Sequence, residues 1–190
     1  SFDLSFLRAV PNLKILAPSN LNECYAMLEW GYAEKGPVAV RYPRGGSREE
    51  YNLKKAEKIK IDLGKGKIVR KGERAVILAF GALLENCQKA AEEFKATLVD
   101  MRFVKPLDIG LLEELSKMHE YFITVEDSVV SGGAGSAVNE AVFENNLKVK
   151  VKNLGLPDRF LPHGTREEIL EEAGLDEEGI LSLIKKYVWS

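Results

Sequence analysis

The sequence predicts an α/β fold, a three-layer αβα domain with a mostly parallel sheet, preceded by a partial β-α-β unit. Three observations predict it. Apolar runs at 75–80, 97–101, 121–125 and 149–154 alternate with amphipathic stretches near 82–94, 108–118 and 134–145, a strand–helix rhythm that builds parallel sheets with helices on both faces. Residues 14–42 contain one β-α-β unit of the usual size for two parallel strands joined by a helix. Between them lies GGSREEYNLKKAEK, charged and poor in apolar residues, which reads as a linker. The expected division is residues 1–45, a linker at 46–57, and a domain at 58–190.

In order along the chain, KILAPS at 14–19 reads as a short strand stopped by Pro18. Asn20 and Glu23 have capping-box spacing, and Leu21, Cys24, Tyr25, Leu28 and Tyr32 follow on one helical face. Gly36-Pro37 ends that helix before a strand at 38–42. Ile59-Lys60-Ile61 and Lys67-Ile68-Val69-Arg70 around Gly64-Lys65-Gly66 suggest a β-ribbon. In the alternating region the expected inward faces are Leu83, Cys87, Ala90, Ala91 and Phe94, then Leu107, Leu111, Leu112, Leu115 and Met118. The third is the small-residue stripe Ala134, Ala137, Val138, Ala141 and Val142. Thr165 and Glu168 form a second capping-box spacing, Gly174 stops that helix, and a last one starts at Asp176 with Ile180, Leu183, Ile184 and Tyr187 inward. A lone β-α-β unit cannot cover both faces of its strands, so residues 1–45 are expected to lean on something outside the chain or on a second copy.

With 190 residues and 45% in the hydrophobic set, the chain is long enough for a substantial core. Its net charge of −2 gives no bulk attraction to nucleic acid or membrane. No run reaches transmembrane length, no signal peptide is visible, and the two cysteines sit at apolar helical positions. A reduced cytoplasmic protein is the expectation. The chain opens without Met, at a point unlike a natural start.

The candidate chemistry centres on Val40-Arg41-Tyr42-Pro43-Arg44-Gly45-Gly46. Pro43 fixes the backbone, and Arg44 falls just past the end of a parallel strand, where open α/β sheets hold ligands. A guanidinium there suits a phosphate or carboxylate; the alternative is a structural ion pair between the two domains. Ser131-Gly132-Gly133-Ala134-Gly135-Ser136 lies where phosphate-cradling glycines occur but matches neither the dinucleotide nor the P-loop pattern, so close helix–sheet packing is the preferred reading. Glu126-Asp127 reads as a structural loop-end pair. His119 and His163 have no companions at metal-ligand spacing, and His163 shares a proline-ordered loop with Asp158 and Arg159.

The runs SFDLSFLRAVPNLKILAPSNLNEC, GPVAVRYPRG, DMRFVKPLD, VEDSVVSGGAGSAVNE and NLGLPDRFLPHGTREEILEEAGLD, in this order over nearly the whole chain, resemble the 1-deoxy-D-xylulose-5-phosphate synthase family. The resemblance implies a thiamine-diphosphate enzyme that condenses pyruvate with D-glyceraldehyde 3-phosphate and releases CO₂, its product feeding isoprenoid, thiamine and pyridoxal synthesis. It implies that residues 1–45 are the tail of the pyrimidine-binding domain and 58–190 the transketolase-type C-terminal domain. The family's active-site histidine, its cofactor-activating glutamate and its Mg²⁺ ligands would lie before Phe2-Asp3. On that basis this chain carries no catalytic, cofactor or metal residue, binds neither thiamine diphosphate nor Mg²⁺ by itself, and is inactive alone. The resemblance also implies a homodimer, and the charge and run lengths above point to no nucleic-acid or membrane partner. One functional residue carries over: Arg44 matches the arginine of the family's Tyr-Pro-Arg-Gly motif, which grips the phosphate of the triose acceptor. The alternatives are a C-terminal piece of a transketolase or a 2-oxoacid dehydrogenase E1 β-subunit, or a non-catalytic dimerisation module.

Overall fold

A computed structural model describes residues 1–43, 45 and 48–188. The first part contains α1 (Asp3–Arg8), β1 (Lys14–Leu16), α2 (Leu21–Ala33) and β2 (Val38–Val40), and the short α3 (Leu53–Ala56) follows. Then come β3 (Lys67–Arg70), β4 (Ala75–Phe80), α4 (Leu84–Glu93), β5 (Thr97–Asp100), β6 (Phe103–Lys105) and α5 (Ile109–Ser116). The chain ends with β7 (Tyr121–Val129), α6 (Ala134–Glu144), β8 (Lys150–Leu156), α7 (Arg166–Glu172) and α8 (Glu177–Val188).

Five strands form one sheet in the order β3-β5-β4-β7-β8, parallel except for the edge strand β3. All six residues of β4 are buried, as a central parallel strand covered on both faces requires. Alternation along that strand divides the core. Ile77 and Ala79 face the layer that includes Cys87, Ala91, Leu170, Ile180 and Ile184. Val76, Leu78 and Phe80 face Leu112, Leu115 and Val138. These are the three layers expected from the sequence. Among the described residues no helix is long and apolar enough to cross a membrane, and both cysteines are free thiols.

Several expectations are corrected. Residues 59–61 are not a strand: Ile61 packs beside Leu16, Met27 and Phe103, while β3 pairs antiparallel with β5. The apolar residues read as half a ribbon are there because Ile61 fills a core. Part of the linker is helical, since the Asn52 side chain accepts from the Lys55 N–H and starts α3, whose Ala56 is buried. On α2 the buried residues are Asn22, Glu23, Ala26 and Met27, while Leu21, Leu28 and Tyr32 of the expected inward face are exposed. Asn20 caps α2 as its spacing predicts, but Glu23 does not close the box; its carboxylate turns inward to Arg102. Thr165 and Glu168 do form the full reciprocal box.

Part of the support for the first β-α-β unit lies within the chain, while Phe6, Leu28 and Tyr32 remain exposed. The unanticipated strand β6 pairs antiparallel with β1, giving a second sheet of order β2-β1-β6. Leu4, Leu13, Ile15 and Ala17 belong to the same core as Val76, Leu78, Val99 and Met101. Ile15 and Leu16 are fully buried, while Val38 and Val40 keep intermediate exposure. A polar joint lies beside this apolar one. Ser19 donates to the Asp100 carboxylate over 2.6 Å, and Asp100 accepts the Arg102 N–H over 3.1 Å. Arg102 adopts φ 55°, a left-handed backbone that costs a non-glycine residue about 1–2 kcal/mol and that its pairing with Glu23 helps to hold. Because the core is shared, Ile15→Ala should lower the stability of the whole chain by about 2–5 kcal/mol, within a single denaturation transition seen by both far-UV dichroism and tryptophan fluorescence. Two separated transitions would show that the first 45 residues and the five-stranded sheet unfold independently.

Candidate functional site

The C-terminal ends of β2, β4, β7 and β8 open on two adjoining cavities. One, of about 550 Å³, is lined by residues that include Asn20, Tyr42, Pro43, Ala82 and Arg166. The other, of about 820 Å³, includes Ser1, Arg41, Asp127, His163 and Arg166 in its lining. Pro43 and Gly45 border both. Arg44 itself lies outside the described residues, but its two chain neighbours stand at the carboxyl edge where α/β sheets collect ligands.

The two arginines of the motif have separate positions. Arg41 continues β2, donating its backbone N–H to the Leu16 carbonyl over 2.8 Å. Its guanidinium is partly buried between two carboxylates. Nε donates to Asp3 over 2.8 Å, Nη1 donates to the Asp127 carboxylate, and Nη2 donates to the Asp127 carbonyl over 3.1 Å. Asp3 is accordingly held below its usual range: burial opposes this, but the hydrogen bond and charge of Arg41 outweigh it. The segment preceding α1 is fixed to the same edge, because the Ser1 carbonyl accepts from the Val129 N–H and the Ser128 hydroxyl. Ser5 and Arg8 of α1 donate to carbonyls of Ser131, Gly132 and Gly133.

Glu126 and Asp127 are neighbours in β7 and, by the twofold period of a strand, face opposite ways. Asp127 meets Arg41. Glu126 is fully buried, and its two oxygens each accept one backbone N–H, from Ala134 and Gly135, over 2.8 Å. The helix N-terminus that a glycine-rich loop can offer to a phosphate is thus filled by the chain's own carboxylate. Burial raises Glu126 to about 7, against the pull of the two N–H donors. The glycines of the loop make this possible: a Cβ at Gly133 would lie 2.3 Å from Glu126 Oε2, and one at Gly135 would lie 2.5 Å from Thr124 Oγ1. Ser131–Ser136 is a close-packing element.

The remaining candidates do not converge. His119 is buried with Nε2 2.9 Å from Thr97 Oγ1 and Nδ1 3.0 Å from the Leu115 carbonyl, a structural setting. Asp158 and His163 are exposed, and Arg159 pairs with Glu172 rather than with either. Among the described residues no group of three or more His, Cys, Asp or Glu side chains could hold a metal ion. What sequence reading missed was the Asp3–Arg41–Asp127 cluster. The signal was present in the first arginine of the motif, placed next to an apolar strand and so unable to be buried without carboxylate partners.

This arrangement, a mostly parallel sheet joined to a β-α-β unit with cavities at the carboxyl edge, defines a ligand-binding type of α/β protein. The transketolase C-terminal domain family matches residues 64–180, well over half of the chain, and the chain belongs to that family. The transketolase pyrimidine-binding domain matches residues 1–49. A solved structure described as a split-gene transketolase, an inactive β4 tetramer, superposes with a TM-score of 0.87 at 29% identity, over 98% of this chain and 61% of that one.

The particular relatives are 1-deoxy-D-xylulose-5-phosphate synthases. Those of Pseudoalteromonas translucida and Pectobacterium atrosepticum are each 50% identical to this chain over 99% of its length, and that of Vibrio campbellii is 47% identical. The chain spans about 30% of the length of these curated relatives.

Proposed function

We propose that these residues form the C-terminal part of a 1-deoxy-D-xylulose-5-phosphate synthase. In this reading residues 1–45 end the pyrimidine-binding domain, 46–57 link, and 58–190 are the C-terminal domain. The enzyme condenses pyruvate with D-glyceraldehyde 3-phosphate in the cytoplasm as a homodimer, supplying isoprenoid, thiamine and pyridoxal synthesis. Thiamine diphosphate with Mg²⁺, held by residues preceding this chain, supplies the carbanion chemistry. Arg44 grips the phosphate of the triose acceptor with its planar fork.

The observation that carries the Arg44 assignment is the position of Arg41. Of the two cations in the motif, Arg41 already makes the ion pairs between the N-terminal segment and β7. That is the structural role which the sequence alone left open for Arg44. Pro43 and Gly45, on either side of it, line the cavities at the carboxyl edge.

The 190-residue chain alone should not consume pyruvate when given thiamine diphosphate, Mg²⁺ and triose phosphate, whereas an enzyme of full family length ending in this sequence should release CO₂ from the same mixture. Turnover by the chain alone would overturn the division of labour proposed here. A full-length enzyme inert with glyceraldehyde 3-phosphate but active on another acceptor would overturn the substrate assignment.

A further inference from the structure

We propose that Asp127 is a positioning residue for the anion site: from the end of β7 it holds the Arg41 guanidinium, and through it the strand end that leads into Tyr42 and Pro43. The proposal rests on the reading of Arg44 as the triose-phosphate clamp.

The geometry distinguishes Arg41 from a ligand-binding cation. Its side chain is 13% exposed, and each of its three guanidinium nitrogens has a partner on Asp3 or Asp127. Four of its five N–H donors are committed to these two aspartates. What it does is join three segments that the chain brings together from far apart: the turn into α1 through Asp3, the end of β2, and the end of β7 through Asp127. Asp127 contributes most of this. It offers both a carboxylate oxygen and its own backbone carbonyl, and its side chain is 9% exposed against 30% for Asp3. Its second carboxylate oxygen lies 3.8 Å from Arg166, so the charge also separates two guanidinium groups.

Beyond Arg41 the described residues are more exposed. Tyr42 is 57% exposed, and Gly45 is exposed with φ 132°, a backbone few other residues adopt. The positions of Tyr42 and Pro43 therefore depend on where the strand end is fixed. Removing the Asp127 charge leaves Arg41 and Arg166 facing an uncharged amide, and the strand end shifts without unfolding the sheet, since the β7 backbone ladder is intact. The C-terminal domain thereby takes part in substrate recognition through a residue that does not touch substrate.

The test is steady-state kinetics of the full-length enzyme with Asp127→Asn, Arg44→Ala and the double variant. Asp127→Asn is expected to raise the KM for glyceraldehyde 3-phosphate about tenfold, the loss of one charge-assisted contact, with the KM for pyruvate and the half-saturating thiamine diphosphate within about twofold of wild type. The double variant should be no worse in triose-phosphate KM than Arg44→Ala alone, because both act on one contact. Asp127→Glu keeps the charge on a longer arm and should recover part of the effect; it also serves if Asp127→Asn does not fold. If Arg44→Ala raises the triose KM and Asp127→Asn leaves it unchanged, the positioning role is wrong and the clamp stands. Additive losses, with the pyruvate KM and thermal midpoint moving together, make Asp127 a general stability residue and overturn the proposal. If Arg44→Ala itself has no effect on the triose KM, the clamp reading fails and this inference falls with it.

Discussion

Arg44→Ala in the full-length enzyme should cut kcat/KM for glyceraldehyde 3-phosphate roughly ten- to a hundredfold, while cofactor binding stays nearly unchanged. A hydrogen bond to a charged group contributes on the order of 1.5–3 kcal/mol, which sets that range. The loss should be specific to the phosphorylated substrate, since pyruvate carries no phosphate. Arg44→Lys should recover only part of it, because an ammonium keeps the charge but loses the planar two-pronged fork. Arg41 is the internal control. Its guanidinium is committed to Asp3 and Asp127, so Arg41→Ala should lower the thermal midpoint as well as raise the KM for glyceraldehyde 3-phosphate, leaving two carboxylates without their cation. Kinetic analysis beside thermal melts separates the two arginines. If Arg44→Ala lowered stability severely and left triose-phosphate kinetics intact, Arg44 too would be a structural ion-pair residue.

The layered α/β architecture was legible because its signals are local. The run Ala75–Phe80 is buried throughout, and the small-residue face of α6 follows helical period. Two kinds of feature were not legible. The first is which face of α2 turns inward. Its apolar residues at Leu21, Leu28 and Tyr32 pointed to one face, but Glu23 and Asn22 are buried because Arg102 and the chain near Glu50 and Asn52 offer them partners. A buried carboxylate paired to a distant arginine leaves no mark on hydrophobic periodicity. The second is β6. Three residues long, it begins just past the left-handed turn at Arg102, and its partner β1 lies some ninety residues earlier. That pairing supplies part of the support which the sequence placed outside the chain, and Leu28 and Tyr32 stay exposed. At the site, the motif gave the place and the glycine-rich loop gave its packing role. The assignment of Arg41 to Asp127 depends on strand ends meeting in space, which no local spacing encodes.

The stability of the chain should fall as pH rises from 5 to 8, the reverse of what surface carboxylates produce. Two buried acids cause this. Glu126 is raised from 4.5 to about 7 and Asp100 from 3.8 to about 6, in both cases by burial. The folded state then binds more protons than the unfolded chain between the two values, so stability is lost as each group is forced to ionise inside the protein. Asp3 has the opposite sign, but its contribution is lost only on acidification below the usual carboxylate range, outside this window. At about 1.4 kcal/mol per unit, Glu126 accounts for about 3 kcal/mol between pH 5 and 8 and Asp100 for about half that. Together they correspond to roughly ten degrees in thermal midpoint for a chain of this size. Glu126→Gln should remove the larger share of the slope. At pH 5 it should also be about 1–3 kcal/mol less stable than wild type, because its amide oxygen can accept from only one side while its NH₂ faces a second buried N–H. Urea unfolding at pH 5, 6, 7 and 8 measures both quantities. A wild-type stability that rises across this range would mean that the N–H groups of Ala134 and Gly135 hold Glu126 ionised throughout. The start of α6 would then be a permanent carboxylate site in which the helix terminus outweighs burial.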